Sequence, residues 1–306
     1  MPLQTDTKID RDQLKRHLSY WRTGALVVLV ILFAVVVGKE TKLGDRRHVA
    51  LLEIEGFILS NPNLEKAVYD LVTNTDAVAL VVYINSPGGE TAASEAIYRA
   101  LREVQDKIPV AAVMGGVAAS GGYMAAIAAD RIFARESTIT GSIGVLLKAT
   151  NIVGLMDRMG VENETIRSGP LKSYPNPLER LTPSARAVNQ KLVDDVHSMF
   201  KEMIVERRGL EPGVVDGLAD GRVYSGRTAI ENGLIDDLGG VSDARHWLEK
   251  AHAIPISLPE KRLATDDPVA GWLDWLLSSV SPKTFLAERL GLDGLVSVWQ
   301  PSYTVK

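Results

Sequence analysis

The sequence predicts an α/β domain built on a largely parallel sheet, and three observations support this prediction. From His48 onward, segments of strand character alternate with segments of helical periodicity, as in chains whose parallel strands are joined by crossover helices. The run AVALVVYI at 77–84 is apolar throughout, which is typical of a strand buried on both faces. Two such runs end in glycine-rich loops, at the strand ends where open α/β sheets bind ligands.

The individual elements follow in a regular order. The expected strands are residues 48–56, 77–84, 108–114, 131–134, 139–143 and 164–167. The expected helices are residues 63–74, 90–104, 123–129, 151–159 and 183–207. Helix 90–104 carries apolar residues at three- and four-residue spacing, which indicates one buried face. Thr182 followed by Pro183 is a typical start for the long helix.

Composition excludes several classes of protein. The 306 residues are 46% hydrophobic and 24% charged, unlike a disordered, collagen-like or polytopic membrane chain. A net charge of −4 gives no basic face for nucleic acid. The absence of cysteine excludes thiolate catalysis, disulfides and Cys-type metal sites. The five histidines are scattered without metal-ligand spacing, so neither a metal nor a cofactor is expected.

Residues 23–38 form an uncharged apolar segment that we interpret as a membrane anchor following a leader at 1–22. Sixteen helical residues span about 24 Å, slightly less than the roughly 30 Å hydrocarbon core. Trp21 suits the membrane interface, while Arg22 and Lys39 can extend toward head groups. A cleaved signal peptide is the main alternative, and a buried core helix is a third. Acidic residues in the leader and the lack of a clear cleavage site disfavour the signal peptide.

Ser120 is the candidate nucleophile. It lies in AASGGY at 118–123, between a buried strand and a small-residue helix, where a developing negative charge would be favoured. The Gly121 amide has the position of an oxyanion donor, and Gly89 of the NSPGG loop at 85–89 could supply a second. The alternative is that Ser120 only caps the helix, and both roles can hold together.

A serine nucleophile needs a general base. No histidine occurs between Ser120 and the long helix, and the lysines in that interval are Lys148 and Lys172. A lysine can serve as a base when burial disfavours its ammonium form. Lys172 follows the expected strand 164–167 closely, although a solvated loop lysine remains the simpler interpretation of its spacing.

Five ordered motifs resemble the bacterial signal peptide peptidase A family, the serine–lysine peptidases of the crotonase/Clp-protease fold. The similarity extends over residues 50–247. The motifs are NSPGG at 85–89, AASGGY at 118–123, TGSIGV at 140–145, IRSGPLKS at 166–173 and DGRVYSGRTAIENGLIDDLGG at 220–240. The resemblance implies an α/β fold of the crotonase/Clp-protease-like ββα superhelix type, preceded here by a single N-terminal transmembrane helix.

The resemblance also implies a role for each matching residue. Ser120 corresponds to the nucleophile and Lys172 to the general base. Gly89 and Gly121 correspond to the oxyanion hole, and Ser142 to the hydroxyl that orients the lysine. A single unit resembles the short form of the family, which assembles into a homo-oligomeric ring whose active sites draw residues from adjacent protomers.

The implied function is a serine endopeptidase that degrades cleaved signal peptides and other membrane-associated peptides. Its peptidase domain, residues 39–262, would face the periplasm or extracytoplasmic side of the bacterial inner membrane, held by one pass of the anchor. The slight charge bias around the anchor agrees only mildly with this orientation. Alternatives are a membrane-tethered, non-catalytic oligomeric scaffold and an acyl-CoA enzyme of the crotonase type.

The C-terminal tail, residues 263–306, lies outside the resemblance. It concentrates three of the five tryptophans, Trp272, Trp275 and Trp299. An amphipathic segment that contacts a membrane surface or another subunit is one interpretation. Packing back on its own domain is the other.

Overall fold

The computed structural model describes residues 20–22, 24–29 and 47–265, together with the backbone of residues 296–298. The chain divides into two compact units, residues 1–46 and 47–306. In the first unit, residues 20–22 and 24–29 are helical with exposed side chains. No helix in these described ranges has the length and apolar character needed to cross a membrane. The rest of the predicted anchor at 23–38, and the leader before Tyr20, lie outside the described residues.

The second unit is organised around a sheet of nine strands in the part of the chain that is described. The strands are β1 (His48–Ile58), β2 (Ala77–Glu90), β3 (Val110–Ala119), β4 (Arg131–Ala134), β5 (Ile139–Gly141), β6 (Val223–Ser225), β7 (Asp237–Leu238), β8 (Glu260–Arg262) and β9 (Val296–Val298). The main order is β6-β5-β3-β2-β1-β8, while β4 pairs with β3 and β7, and β9 pairs with β2. All pairings are parallel except β5–β6 and β2–β9. The predicted α/β sheet is confirmed.

Helices cover both faces of this sheet. The helices described in this unit are α1 (Pro62–Thr73), α2 (Thr91–Gln105), α3 (Gly121–Ala126), α4 (Val153–Met159), α5 (Pro183–Arg208), α6 (Pro212–Leu218), α7 (Gly226–Glu231) and α8 (Val241–His252). Helix α4 buries none of its residues and does not contribute to this cover. Successive β2 residues point to opposite faces, so Val82 joins the core beneath α1, α2 and α3, whereas Val81 joins the core beneath α8. This two-sided burial explains why residues 77–84 are continuously apolar.

Helix α3 is anchored beneath the sheet end by Tyr123. Its side chain is fully buried, and its hydroxyl donates a hydrogen bond to the Leu234 carbonyl oxygen at 2.9 Å. Burial raises the pKa of the Tyr123 phenol well above its usual range, so the group remains a protonated donor. The buried and hydrogen-bonded Tyr123 side chain therefore holds the strand-to-helix turn before α3 in position.

Most predicted elements are confirmed, with corrections to four strands. The strands predicted at 77–84 and 108–114 extend to Glu90 and Ala119, so residues 85–89 and 115–119, predicted as loops, lie within β2 and β3. The long helix runs over Pro183–Arg208, and the Thr182 hydroxyl accepts a hydrogen bond from the Ala185 amide at 3.2 Å. The strand predicted at 139–143 ends at Gly141, because Gly141 and Ser142 both have positive φ. The prediction of a strand at 164–167 is wrong. That segment is irregular, Ile166 is 99% exposed, and no strand among the described residues pairs with it.

Candidate active site

Ser120 lies on a strained turn between β3 and α3. Its φ of 55° and ψ of −115° fall outside the regions that ordinary residues favour, and its exposed fraction is only 1%. The Ser120 amide donates to the Gly141 carbonyl at 2.7 Å, and its carbonyl accepts from the Met124 amide at 2.9 Å. Such a conformation costs about 1–3 kcal/mol and persists where the surrounding structure holds it. A serine on a sharp strand-to-helix turn is the arrangement of a nucleophile elbow.

Helix capping does not explain the Ser120 side chain. Ser120 occupies the N-cap position of α3, but its hydroxyl makes no capping hydrogen bond to the helix. By contrast, Thr182 and Ser225 accept such bonds from the first turns of α5 and α7. The capping alternative considered from sequence therefore fails, and the hydroxyl is not committed to the helix end.

Gly89 and Gly121 meet beside Ser120. A Cβ added to Gly121 would overlap the Ser94 hydroxyl oxygen and would lie 3.3 Å from the Gly89 amide nitrogen. A Cβ added to Gly89 would overlap the Ile58 carbonyl oxygen on the neighbouring strand. Both sites therefore need glycine because other backbone or side-chain atoms fill the space. The two residues predicted to form the oxyanion hole are neighbours in the folded chain.

Two buried serines, missed by the sequence analysis, support these glycines. The Ser86 hydroxyl accepts a hydrogen bond from the Gly88 amide at 3.1 Å and thereby closes the NSPGG turn. The Ser94 hydroxyl donates to the Glu90 carbonyl at 2.9 Å, where α2 begins. The Ser-Pro-Gly sequence carries a signal for the first contact, because serine hydroxyls commonly bond the backbone two residues on. Local sequence gives no comparable signal for the packing of Ser94 against Gly121.

Ser142 lies on the strand-end loop next to Ser120. β5 pairs with β3 in a register that places Gly141 opposite Ala119, so Ser142 follows directly beside the nucleophile turn. Ser142 has a φ of 50° and is 7% exposed, and its amide donates to the Arg222 carbonyl at 2.8 Å. Among the described residues, no hydrogen bond engages its hydroxyl. Two non-glycine residues with positive φ thus lie on adjacent strand ends, as at sites where geometry is constrained.

Lys172 lies on a separate segment, residues 144–182, which we call the arm. Its backbone is held within the arm: the Lys172 amide donates to the Gly169 carbonyl at 3.1 Å, and its carbonyl accepts from the Arg167 guanidinium at 3.3 Å. Its side chain is exposed, and its ammonium makes no hydrogen bond or ion pair with any other described residue. Within one chain, no contact between Lys172 and Ser120 is therefore formed, and their pairing stays a prediction.

The arm holds its own shape but leaves apolar side chains in water. An ion pair joins Arg167 to Glu179, and the Arg167 guanidinium stacks 5.1 Å from the Tyr174 ring centroid. In the arm, six large apolar side chains are at least 42% exposed: Leu146, Leu155, Met159, Val161, Ile166 and Leu171. Val188 and Leu192 of α5 are exposed to a similar extent. Exposed apolar groups in this density mark an interaction surface.

A buried serine on a strained strand-to-helix turn, with Gly89 and Gly121 beside it where parallel strands end, is the arrangement expected of an α/β serine hydrolase. Comparison with known protein families identifies the kind of hydrolase more closely. The family model described as Peptidase family S49 matches residues 102–254, half of the chain. The chain therefore belongs to peptidase family S49 and is a serine peptidase. A second family model, described as Clp protease, matches residues 62–140 and agrees with the expected Clp-protease-like fold.

Relatives support the same assignment and confirm the resemblance to signal peptide peptidase A. A Synechocystis sp. protein named as a protease is 37% identical over 209 residues, covering 67% of this chain and 75% of the relative. An Enterococcus faecium protein named as a signal peptide peptidase SppA is 36% identical, covering 56% of this chain and 50% of the relative. The chloroplastic serine protease SPPA of Arabidopsis thaliana is 31% identical, and the match covers 70% of this chain and 34% of the relative.

A solved structure gives a weaker match. A ClpP1 mutant from Listeria monocytogenes superposes with a TM-score of 0.43 and 17% identity, covering 65% of this chain and 94% of that one.

Gly121→Ala is expected to lower kcat/KM for peptide hydrolysis by about 10²–10³-fold, the typical loss when one oxyanion donor is displaced. The added methyl group overlaps the Ser94 hydroxyl and pushes apart the two amides that flank Ser120. Gly116→Ala is the matched control, because the nearest atom to its Cβ is Asn85 Oδ1 at an ordinary 3.6 Å. Steady-state hydrolysis of a fluorogenic peptide measures both variants. Equal activity of the two would contradict the placement of the Gly121 amide.

Proposed function

We propose that this chain is a serine endopeptidase that degrades cleaved signal peptides and other membrane-associated peptides with a Ser120/Lys172 dyad. The observation that carries the proposal is the split geometry of the site. Ser120, Gly89, Gly121 and Ser142 lie together at the sheet end, whereas Lys172 is exposed on an arm rich in unpartnered apolar side chains. A base presented outward in this way suits a site completed by a neighbouring copy.

Assembly into a homo-oligomer would account for the arm. Covering its apolar side chains with another copy removes them from water, at about 25 cal/mol for each Å² of apolar surface buried. Such an interface would be heterologous, since one copy donates the arm and the next receives it. Heterologous contacts form a ring when the rotation from copy to copy closes. The same burial would exclude water from the Lys172 amine and favour its neutral form.

The proposed mechanism depends on transfer of the Ser120 hydroxyl proton and on two backbone amides that bind the oxyanion. The neutral Lys172 amine of a neighbouring copy accepts the Ser120 proton while the Ser120 oxygen attacks the peptide carbonyl carbon. The Gly89 and Gly121 amides stabilise the resulting oxyanion. The lysine ammonium then protonates the leaving amine, and the acyl-enzyme forms. Water, deprotonated by the same amine, attacks the ester and releases the carboxylic acid product, which restores Ser120.

Ser142 would orient the lysine. Its hydroxyl lies beside the nucleophile turn and no hydrogen bond to another described residue engages it. A hydroxyl oxygen can accept a hydrogen bond from the amine and direct the amine lone pair toward Ser120. The Arg222 carbonyl oxygen, which accepts a hydrogen bond from the Ser142 amide, would hold this loop in position.

An apolar substrate is supported by the surroundings of the oxyanion loop. Ile58 is paired in register with Gly89 and borders an open cavity of about 730 Å³. Ile54, Leu64 and Ile97 contribute apolar walls to this cavity, and the Glu53–Arg262 ion pair lies among its lining residues. Glu55, Ser60 and Asn61 also line the cavity, so only its apolar part would receive apolar side chains of a peptide.

The apolar segment at 23–38 supports attachment to the bacterial inner membrane by a single pass. In this proposal, the peptidase domain lies on the periplasmic or extracytoplasmic side, where cleaved signal peptides remain after export. A cysteine introduced near residue 265, in this cysteine-free chain, would react with a membrane-impermeant thiol reagent in intact spheroplasts. Labelling only after the membrane is opened would contradict the proposed side.

The proposed substrate class is tested with two peptides of equal length, one apolar and one strongly charged, offered to the detergent-solubilised protein. We expect the apolar peptide to have the higher kcat/KM. Equal turnover would contradict an apolar substrate groove. A serine-directed fluorophosphonate probe, applied in parallel, should label Ser120 and not the Ser120→Ala variant. Absence of labelling in an intact oligomer would favour the scaffold alternative.

A further inference from the structure

Arg207 binds the far end of the helix that follows Ser120. Helix α3 ends at Ala126 and is followed by a buried turn at residues 127–129. The Arg207 guanidinium, on the last turn of α5, donates hydrogen bonds to the carbonyl oxygens of three consecutive residues, Ile127 at 2.9 Å, Ala128 at 3.5 Å and Ala129 at 3.0 Å. The end of a helix leaves carbonyl groups without intrahelical partners, and a cation there interacts favourably with the helix dipole. Arg207 therefore caps the C-terminal end of α3.

The Arg207 side chain is used for this contact. It is partly buried and forms no ion pair with a carboxylate among the described residues. By contrast, the adjacent Arg208 pairs with Asp236 at 2.8 Å. Burial lowers the pKa of Arg207, but a guanidinium remains protonated in proteins. The three carbonyl oxygens are thus the groups that offset the desolvation of this charge.

The turn that Arg207 binds is also joined to the start of β3. The Asp130 amide donates to the Val110 carbonyl oxygen at 2.9 Å, and the Asp130 carboxylate accepts from the Val110 amide at 2.8 Å. Strand β3, the Ser120 turn and α3 therefore form a closed unit over residues 110–130. The nucleophile lies at one end of this unit and the Arg207 contacts lie at the other.

Helix α3 has only six residues and depends on such external contacts. Isolated helices shorter than roughly 12–15 residues are marginal in water. The bonds that run along α3 join the Met124 amide to the Ser120 carbonyl at 2.9 Å and the Ile127 amide to the Tyr123 carbonyl at 3.1 Å. A displacement of the C-terminal end of α3 would reach Ser120 through these bonds. The strained Ser120 turn, in addition, persists only where its surroundings hold it.

We propose that Arg207 is a positioning residue for the Ser120 nucleophile and acts through the C-terminal end of α3. This inference rests on the proposed role of Ser120 and extends it with a residue that lies outside the site. Without the guanidinium, buried carbonyl oxygens at residues 127–129 lose their hydrogen-bond donor, which is costly enough to displace the turn. Ser120 would then move relative to the Gly89 amide on the neighbouring strand.

Arg207→Met tests the proposal, because methionine keeps an apolar stem but donates no hydrogen bond. We expect kcat for peptide hydrolysis to fall about 10–100-fold with KM unchanged, since a displacement of about 1 Å can cost about 10²-fold in rate. Arg207→Lys keeps a cation without the planar fork, so its kcat should lie between those of the wild type and Arg207→Met.

Lys201→Met is the matched control. It removes another cation of α5, whose ion pair with Asp216 at 2.7 Å joins α5 to α6 and not to α3. We expect Lys201→Met to retain the wild-type kcat. Both variants should keep the wild-type oligomer size, because neither residue belongs to the arm.

Labelling with a fluorophosphonate probe separates a displaced nucleophile from a loss of folded protein. The end point of labelling counts the competent sites, and the rate constant reports the reactivity of Ser120. Arg207→Met should reach the wild-type end point with a rate constant lowered about as much as kcat. A lowered end point with a wild-type rate constant would mean a merely structural role and would overturn the proposal. If Arg207→Met does not fold, Arg207→Lys supports the same comparison with a smaller expected fall.

Hydrogen–deuterium exchange provides a measurement that does not depend on catalysis. The Met124 and Ile127 amides should exchange faster in Arg207→Met than in the wild type, and at the wild-type rate in Lys201→Met. Wild-type kcat and a wild-type labelling rate in Arg207→Met would overturn this inference and leave the proposed function intact. A wild-type protein that neither hydrolyses peptides nor reacts with the probe would refute the proposed function and this inference together.

Discussion

Replacing Ser120 with alanine is expected to abolish peptide hydrolysis, with a fall in kcat of about 10⁴–10⁶-fold, as for removal of a serine nucleophile. The loss is chemical, because the backbone contacts of the turn do not involve the hydroxyl. The Ser120 amide and carbonyl would still bond Gly141 and Met124. Alanine also keeps the same Cβ at this positive-φ position, so the thermal midpoint should change little.

Single-turnover and steady-state hydrolysis of the apolar peptide measure this effect. Ser242→Ala, at an exposed position near the start of α8, is the matched control and should retain wild-type activity. An unaltered far-UV circular dichroism spectrum and oligomer size would exclude a folding defect. Substantial residual turnover by Ser120→Ala would show that another group is the nucleophile.

Replacing Lys172 is expected to have the second largest effect. Lys172→Ala removes the proposed base and should lower kcat by about 10²–10⁴-fold, the usual contribution of general acid–base catalysis. Lys172→Arg should be equally inactive, because a guanidinium stays protonated and cannot accept the Ser120 proton. Comparing these two variants shows whether Lys172 acts as a general base or contributes only a positive charge.

The other lysine between Ser120 and α5 supplies the control. Lys148 is also exposed on the arm, so Lys148→Ala removes a similar side chain from the same segment. It should retain activity and oligomer size, whereas both Lys172 variants should lose activity while retaining oligomer size. Wild-type rates for Lys172→Arg would show that the residue does not act as the base.

The sequence predicted the parts of the site that depend on strand ends. Parallel pairing brings carboxyl ends of neighbouring strands to one edge, and this rule places the NSPGG and AASGGY loops together. The contact between Gly89 and Gly121 follows from that topology. Helix α2 was likewise predictable from its apolar spacing, since Ile97 and Leu101 are buried as expected.

The arm was harder to predict, and the failure has a physical cause. Residues 164–167 include the β-branched Thr165 and Ile166, which favour a strand, but none of the strands that the structure describes pairs with them. Propensity describes a half-buried, pleated environment and does not say which chain supplies the burial. The sequence could not predict the position of Lys172 relative to Ser120 for the same reason. In a single chain, the lysine side chain is exposed.

The pairing of β9 with the oxyanion loop also lay beyond sequence reasoning. The tail was interpreted as a membrane, subunit or self-packing segment from its tryptophans, which lie outside the described residues. The residues that pair, Val296–Val298, are two valines that flank a serine, and this local pattern does not by itself indicate a partner strand. Strand addition depends on an available edge, and that edge exists only after β3 ends at Ala119.

Mixing two inactive variants tests the central claim most directly, namely that Ser120 is activated by Lys172 from a neighbouring copy. Ser120→Ala and Lys172→Ala would be co-expressed, or dissociated, mixed in equal amounts and reassembled. Random mixing of copies around a heterologous ring should restore about a quarter of the wild-type activity, since about one interface in four unites an intact serine with an intact lysine. No recovery of activity in oligomers shown by mass spectrometry to contain both variants would contradict the claim.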